Sequence, residues 1–123
     1  MRKKEITIEI EVDNTQDYLK FVNGIVDDKL TKQELWILSL FVDYQMESVK
    51  EGLKEVPFGT LSRKRLKKEL RIADNMISQY IKKYADKGFI KNTGERGAYS
   101  IRPLIYPGEL TIKIKWQPKE EKS

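Results

Sequence analysis

The sequence predicts an α+β fold, and three of its features do so. Between Leu61 and Arg102 two runs of helical periodicity are separated by a short break and followed by a hairpin pattern with glycines at its tip. Upstream lies a longer amphipathic run with a full set of helix start and stop signals. At each end of the chain, apolar and polar residues alternate with the period of a β-strand. The 123 residues suffice for one domain with a core and fall short of two ordinary ones. The expected organisation is a single domain: an N-terminal strand and short helix in 1–30, a helix–turn–helix and hairpin core in 31–103, and a C-terminal strand with a charged tail in 104–123.

In chain order, Ile6, Ile8, Ile10 and Val12 alternate with Thr7, Glu9 and Glu11, which predicts a half-buried strand. Leu110, Ile112, Ile114 and Trp116 alternate with Thr111, Lys113 and Lys115 near the other end. One polar face is Glu and the other Lys, so the two segments are expected to pair, within one chain or between two, with opposite charges across the ladder. Asn14–Val22 reads as a short helix capped by Asn14 or Thr15 and stopped near Gly24, with Tyr18, Leu19, Phe21 and Val22 as core. Thr31–Glu51 is the longest helix. Thr31 and Glu34 have the spacing of a capping box, Leu30 and Leu35 that of a hydrophobic staple, and Gly52 supplies the stop. Its stripe Leu35, Leu38, Val42, Met46 and Val49 is broadened by Trp36, Leu40, Phe41 and Tyr44, as in a helix buried on several sides. A loop with Pro57 and Gly59 follows, with one short strand expected around Val56.

The next helix is expected to begin at Ser62, with Leu61 and Leu66 as its staple, Leu66 and Leu70 facing inward and Arg63, Lys64, Lys67 and Lys68 facing out. Ile72 is an apolar plug in the turn, and Asp74 or Asn75 is the next cap. The second helix of the pair then runs to Lys87 and stops at Gly88, with Ile77, Ile81 and Tyr84 on its inner face. Asn75, Ser78, Gln79 and Lys82 share another face. Asn and Gln pair with adenine in the major groove and Ser with donors or acceptors, so this set suits base reading. A hairpin over Phe89–Asn92 and Ala98–Ile101 places Arg96 at its tip, and Pro103 ends it.

The run LKKELRIADNMISQYIKKYADKGFI resembles the core of winged helix-turn-helix proteins, of the kind found in multiple-resistance-type regulators and phage replisome organisers. Leu66, Leu70, Ile72, Ile77, Ser78, Ile81, Tyr84 and the closing Lys87-Gly88-Phe89-Ile90 carry the resemblance. It implies a winged-helix fold with the second helix as recognition helix and Arg96 on the wing. Arg71 stands where that family usually has Gly, which implies strain or a different turn.

Charge is unevenly spread. Met1–Leu61 has 8 Lys or Arg against 12 Asp or Glu, whereas Ser62–Asn92 has 10 against 3, a local balance of +7 within a total of +5. Such asymmetry is the footprint of a nucleic-acid-binding surface. With no Cys and no His, disulfides, thiolate or imidazole metal sites and Ser-His or Cys-His nucleophiles are excluded. No phosphate-binding Gly-rich loop is present, and Asp27-Asp28 reads as loop polarity. No enzyme activity, metal or cofactor is expected. The N-terminus lacks an apolar leader core, and the longest apolar run, Leu35–Val42, is too short for a bilayer, so a soluble intracellular protein with no membrane partner is expected.

Two function classes follow. The first is a double-stranded DNA-binding protein, a transcriptional regulator or replication-associated factor of a bacterium or phage. In it Asn75, Ser78, Gln79 and Lys82 read bases, Arg63, Lys64, Lys67, Lys68 and Lys83 lie on phosphates, and Arg96 acts from the wing. The alternative is a structural or adaptor protein that uses the same fold for protein contacts, such as an accessory component of a tailed-phage virion. Its expected partners are other proteins of a larger assembly. In either class the terminal strands are expected to support a homo-oligomer.

Overall fold

Thr31 begins the element around which the molecule packs. In the computed structural model, which describes residues 6–26, 28–52, 57–94 and 99–112, its hydroxyl accepts from the Glu34 N–H at 3.2 Å. The Glu34 carboxylate accepts in turn from the Thr31 N–H at 2.7 Å, which completes the capping box. Helix α2 then runs over Lys32–Lys50, and Gly52 beyond it takes the positive φ of +74° that suits a helix stop. Leu35, Ile37, Leu38, Phe41, Val42 and Tyr44 are all buried along it, as expected of a helix covered on several sides. Val49, placed on the same stripe by its spacing, is exposed: in the last turn the covered side is that of Ser48, which is buried, and the stripe of Val49 is left open.

Helix α1, Thr15–Ile25, precedes it, with the Asn14 side chain accepting from the Asp17 N–H at 2.8 Å. Tyr18, Leu19 and Val22 are buried against α2, while Phe21 is 39 % exposed and is not core. The helix ends at Ile25, one residue past Gly24, where the stop was expected.

The helix pair consists of α3, Thr60–Leu70, and α4, Asp74–Asp86. The start of α3 and the cap of α4 depart from expectation, while α4 begins at Asp74 as expected. Phe58, at φ 61°, and Gly59 turn the chain early, so α3 begins at Thr60 with no side-chain cap, and Ser62 is buried in its first turn. Leu61 and Leu66 are then both helical, and at about 100° per residue they face different ways. Leu61 is exposed and no staple forms. The cap of α4 is Ala73 rather than Asp74 or Asn75, and Asp74 is the first helical residue, where a carboxylate is favoured by the helix dipole. Arg71 adopts the left-handed conformation, φ 54° and ψ 42°, so the chain keeps the glycine-type turn and accepts the strain. Ile72 packs against the core as expected.

Ile90–Asn92 (β1) and Tyr99–Ile101 (β2) pair antiparallel, with Ile90 opposite Ile101 and Asn92 opposite Tyr99. Asn92 Oδ1 accepts from the Gly94 N–H at 2.8 Å and starts the turn. Pro103, expected to end the hairpin, opens a 3-10 turn over Pro103–Ile105 that buries Ile105. The four helices, the hairpin and this turn share one core. Phe58 lies near its centre, 4.6 Å from Phe41 and 6.3 Å from Tyr84 between ring centroids. The expected strand near Val56 and the hairpin tip lie outside the described residues.

The largest correction concerns the chain ends. Ile6–Val12 is not a strand: the segment is irregular, with Ile6 75 %, Ile8 77 % and Ile10 60 % exposed. Leu110–Ile112 is likewise irregular and exposed, and residues 113–116 lie outside the described residues. The alternation is present, but a strand exists only with a partner edge, and among the described residues neither segment meets one.

Candidate nucleic-acid interface

The geometry of α4 sorts its residues by the helical repeat. Ile77, Ile81 and Tyr84 point into the core and are buried. Asn75, Gln79 and Lys82 lie within about 60° of one another on the far side. All three are exposed, and their side chains make no hydrogen bond or ion pair among the described residues. Asp86 closes the same strip about 16 Å along the axis from Asn75, so the N-terminal half is the part suited to an anion.

Ser78 sits on one flank of this strip, and α3 meets it there. Arg63 Nη2 donates to Ser78 Oγ at 2.6 Å. One turn away, Lys67 Nζ donates to Asp74 Oδ2 at 3.1 Å, so the lysine cancels the one carboxylate at the leading end of α4. Arg63 keeps its full charge, because its partner is neutral. Lys64 and Lys68 are four residues apart on the outward side of α3, exposed and without partners among the described residues. Arg71, exposed in the turn between the helices, adds a further cation without a partner among the described residues. It was noticed in the sequence for its backbone; its side chain was not selected, because position alone does not reveal where a turn residue points.

Lys83 belongs elsewhere. It lies five residues, about 140° of helix rotation, from Ser78, and its ammonium meets Glu34 at 2.6 Å at the start of α2. Burial pushes the Glu34 pKa up, but the Lys83 ammonium and the bonds with Thr31 outweigh it, and the net shift is downward. Glu34 in turn holds the Lys83 pKa above its ordinary value. The pair fastens α4 to the capping box of α2, so the Lys83 charge is shared with Glu34 and is not left wholly free, as sequence spacing suggested. Tyr84 Oη adds a second link to the same turn by donating to the Glu34 carbonyl at 2.7 Å.

Arg65 is withdrawn in the same sense. It stacks over the Tyr44 ring at 4.2 Å, pairs with Glu47 and reaches Glu69 at 3.4 Å, all on the side of α3 that faces α2. The cations of the helix pair therefore divide. Arg65 and Lys83 tie helices together, Lys67 neutralises Asp74, and Arg63, Lys64, Lys68, Arg71 and Lys82 have no counter-charge among the described residues. Arg96, proposed for the wing, lies outside the described residues.

Among the described residues no cluster of three or more His, Cys, Asp or Glu side chains is placed to hold a metal, and no helix is long and apolar enough to cross a membrane. No family model, curated protein or solved structure matches this chain.

Proposed function

We propose that this chain is a double-stranded DNA-binding protein of winged-helix type, a transcriptional regulator or replication-associated factor. The observation that carries the reading is the outward strip of α4. Asn75, Gln79 and Lys82 are exposed and unpartnered, with Ser78 on the flank and Lys64 and Lys68 projecting from the adjoining helix. Amide side chains of this kind make bidentate bonds to adenine, and lysines one turn apart track a phosphate backbone. In this reading Arg63, Lys64, Lys68 and Arg71 lie along phosphates. Lys67 contributes chiefly by silencing Asp74, and Lys83 shares its charge with Glu34.

The test is duplex binding by fluorescence anisotropy across a salt series. Lys64→Glu with Lys68→Glu should abolish binding to every sequence. Gln79→Ala should cost about 1 to 3 kcal/mol on the preferred site and little on random duplex. Absence of binding by the unaltered protein at low salt would overturn the reading.

A second reading is supported by a different observation. Ile6, Ile8 and Ile10 are more exposed than a free monomer usually leaves three neighbouring isoleucines, which favours a protein partner at that end of the molecule. A structural or adaptor role, for instance as a phage virion accessory protein, would use this surface instead of α4.

A further inference from the structure

We propose that Met76 reads thymine: its thioether side chain packs on the C5-methyl group of a thymine whose A·T pair lies under the first turns of α4. The inference rests on the DNA-binding reading and adds a residue to it. Among the apolar side chains of α4, Ile77, Ile81 and Tyr84 belong to the core, and Tyr80 and Ala85 pack against it. Met76 is the exception, at 41 % exposed. A lone apolar side chain at a surface needs no special account; the position of this one supplies an account all the same. Met76 stands three residues before Gln79, the spacing of surface neighbours, and about 60° of helix rotation from it. Ser78 lies on the opposite flank, toward α3, where Arg63 meets it. The outward strip is thus bordered by a hydroxyl on one side and by a thioether on the other, and Met76 falls in the half that is remote from Asp86.

The physical reason lies in what the major groove presents. Asn75, Ser78, Gln79 and Lys82 are polar and read donors and acceptors, whereas the thymine C5-methyl is the apolar group of the groove and is read by apolar contact. It always stands opposite adenine, the base that the Asn75 and Gln79 amides suit by bidentate bonds. An apolar side chain beside an adenine-reading amide therefore matches both edges of one A·T pair, or of neighbouring pairs, and draws on both strands. Cytosine has a hydrogen where thymine has its methyl, so the contact separates A·T from G·C without using a hydrogen bond. Methionine suits the task because its unbranched, polarizable chain adapts to a small apolar group. In the free protein this side chain leaves apolar area in water, and covering that area with the methyl is favourable.

The experiment is fluorescence anisotropy on a duplex enriched from a randomised pool by the unaltered protein, and on the same duplex with each thymine replaced in turn by uracil. Uracil keeps every hydrogen-bonding group of thymine and removes only the methyl. Replacement under the first turns of α4 should weaken binding by the unaltered protein about fourfold, which is what burying one methyl-sized group is worth. Met76→Ala should bind the thymine duplex at least as weakly as that and should no longer distinguish thymine from uracil at the same position. Its thermal midpoint should be unchanged or higher, because alanine is a strong helix former at an exposed site. Three outcomes would overturn the proposal while sequence-dependent binding, relaxed by Gln79→Ala, leaves the DNA-binding reading standing: an enriched site without thymine, uracil tolerated at every position, or a thymine preference that persists in Met76→Ala. Absence of binding to any duplex at low salt would overturn both.

Discussion

At the residue scale, the side chains that mark function and those that hold the fold together are the same types, and their partners separate them. Arg71 illustrates the overlap. A left-handed non-glycine residue costs about 1 to 2 kcal/mol, and its side chain is an uncompensated cation between the two helices. Arg71→Gly should therefore leave thermal stability unchanged or raise it, by up to about 1 kcal/mol after the entropy cost of glycine, while weakening duplex binding at low salt. Calorimetry and anisotropy on one variant check both halves. Glu34 gives the opposite case, a charged residue whose role is internal. Its folded pKa lies below its unfolded value, so the stability it contributes is present above the ordinary carboxylate range and is lost as pH falls through the folded pKa. Glu34→Gln should flatten the acid side of the stability curve, measured by urea unfolding between neutral pH and strongly acid pH, and should also flatten the strongly alkaline side, where the Lys83 ammonium that Glu34 stabilises is lost. The sequence identified Glu34 as half of a capping box. It could not show Lys83, on another helix, as the counter-charge, because ion pairs across elements have no spacing to read.

At the element scale, helices were legible and their starts less so. The period of Ile77, Ile81 and Tyr84 and the box at Thr31 each encode a local structure completely, and both are found as expected. The start of α3 was misread because it is determined by a backbone turn at Phe58 and Gly59 rather than by a capping side chain. Buried Phe58 holds that turn through contacts with Phe41, Tyr84 and Tyr99, which come from three other parts of the chain. Phe58→Ala should cost about 3 to 5 kcal/mol, read as a fall in the urea midpoint, and the loss should exceed that from Thr31→Ala, about 1 kcal/mol. The pairing of Lys67 with Asp74 was also invisible in sequence, where Lys67 counted simply as a cation. Asp74→Asn removes a negative charge and frees Lys67, so it should tighten duplex binding and steepen its salt dependence. An unchanged salt slope in that variant would place Asp74 away from the phosphates.

At the scale of the whole molecule, the charge asymmetry read from composition survives folding in reduced form. Of the cations in the helix pair, those on the α2 side are consumed by Glu34, Glu47 and Glu69, and the remainder project from α3, the turn and α4. With four phosphate contacts, from Arg63, Lys64, Lys68 and Arg71, the slope of log K against log salt should be about −3.6. A slope near zero at measurable affinity would mean that binding does not use this face. The terminal segments were the least legible part, since alternation records a capacity to pair and says nothing of where the partner edge is. One contact bears on what the whole molecule would select. Ser78 in a free helix offers its hydroxyl either way round, but Arg63 already donates to its oxygen. One lone pair is thereby occupied, and the proton and a single lone pair are left, which tilts the hydroxyl toward donating outward. A duplex seated there would be favoured where it presents a major-groove acceptor, such as a purine N7 or a thymine O4, and disfavoured where the cytosine amino group stands. The ambiguity of serine is thus narrowed by a neighbour on the other helix, and Arg63→Ala should broaden the preference at one base pair without moving the rest of the site.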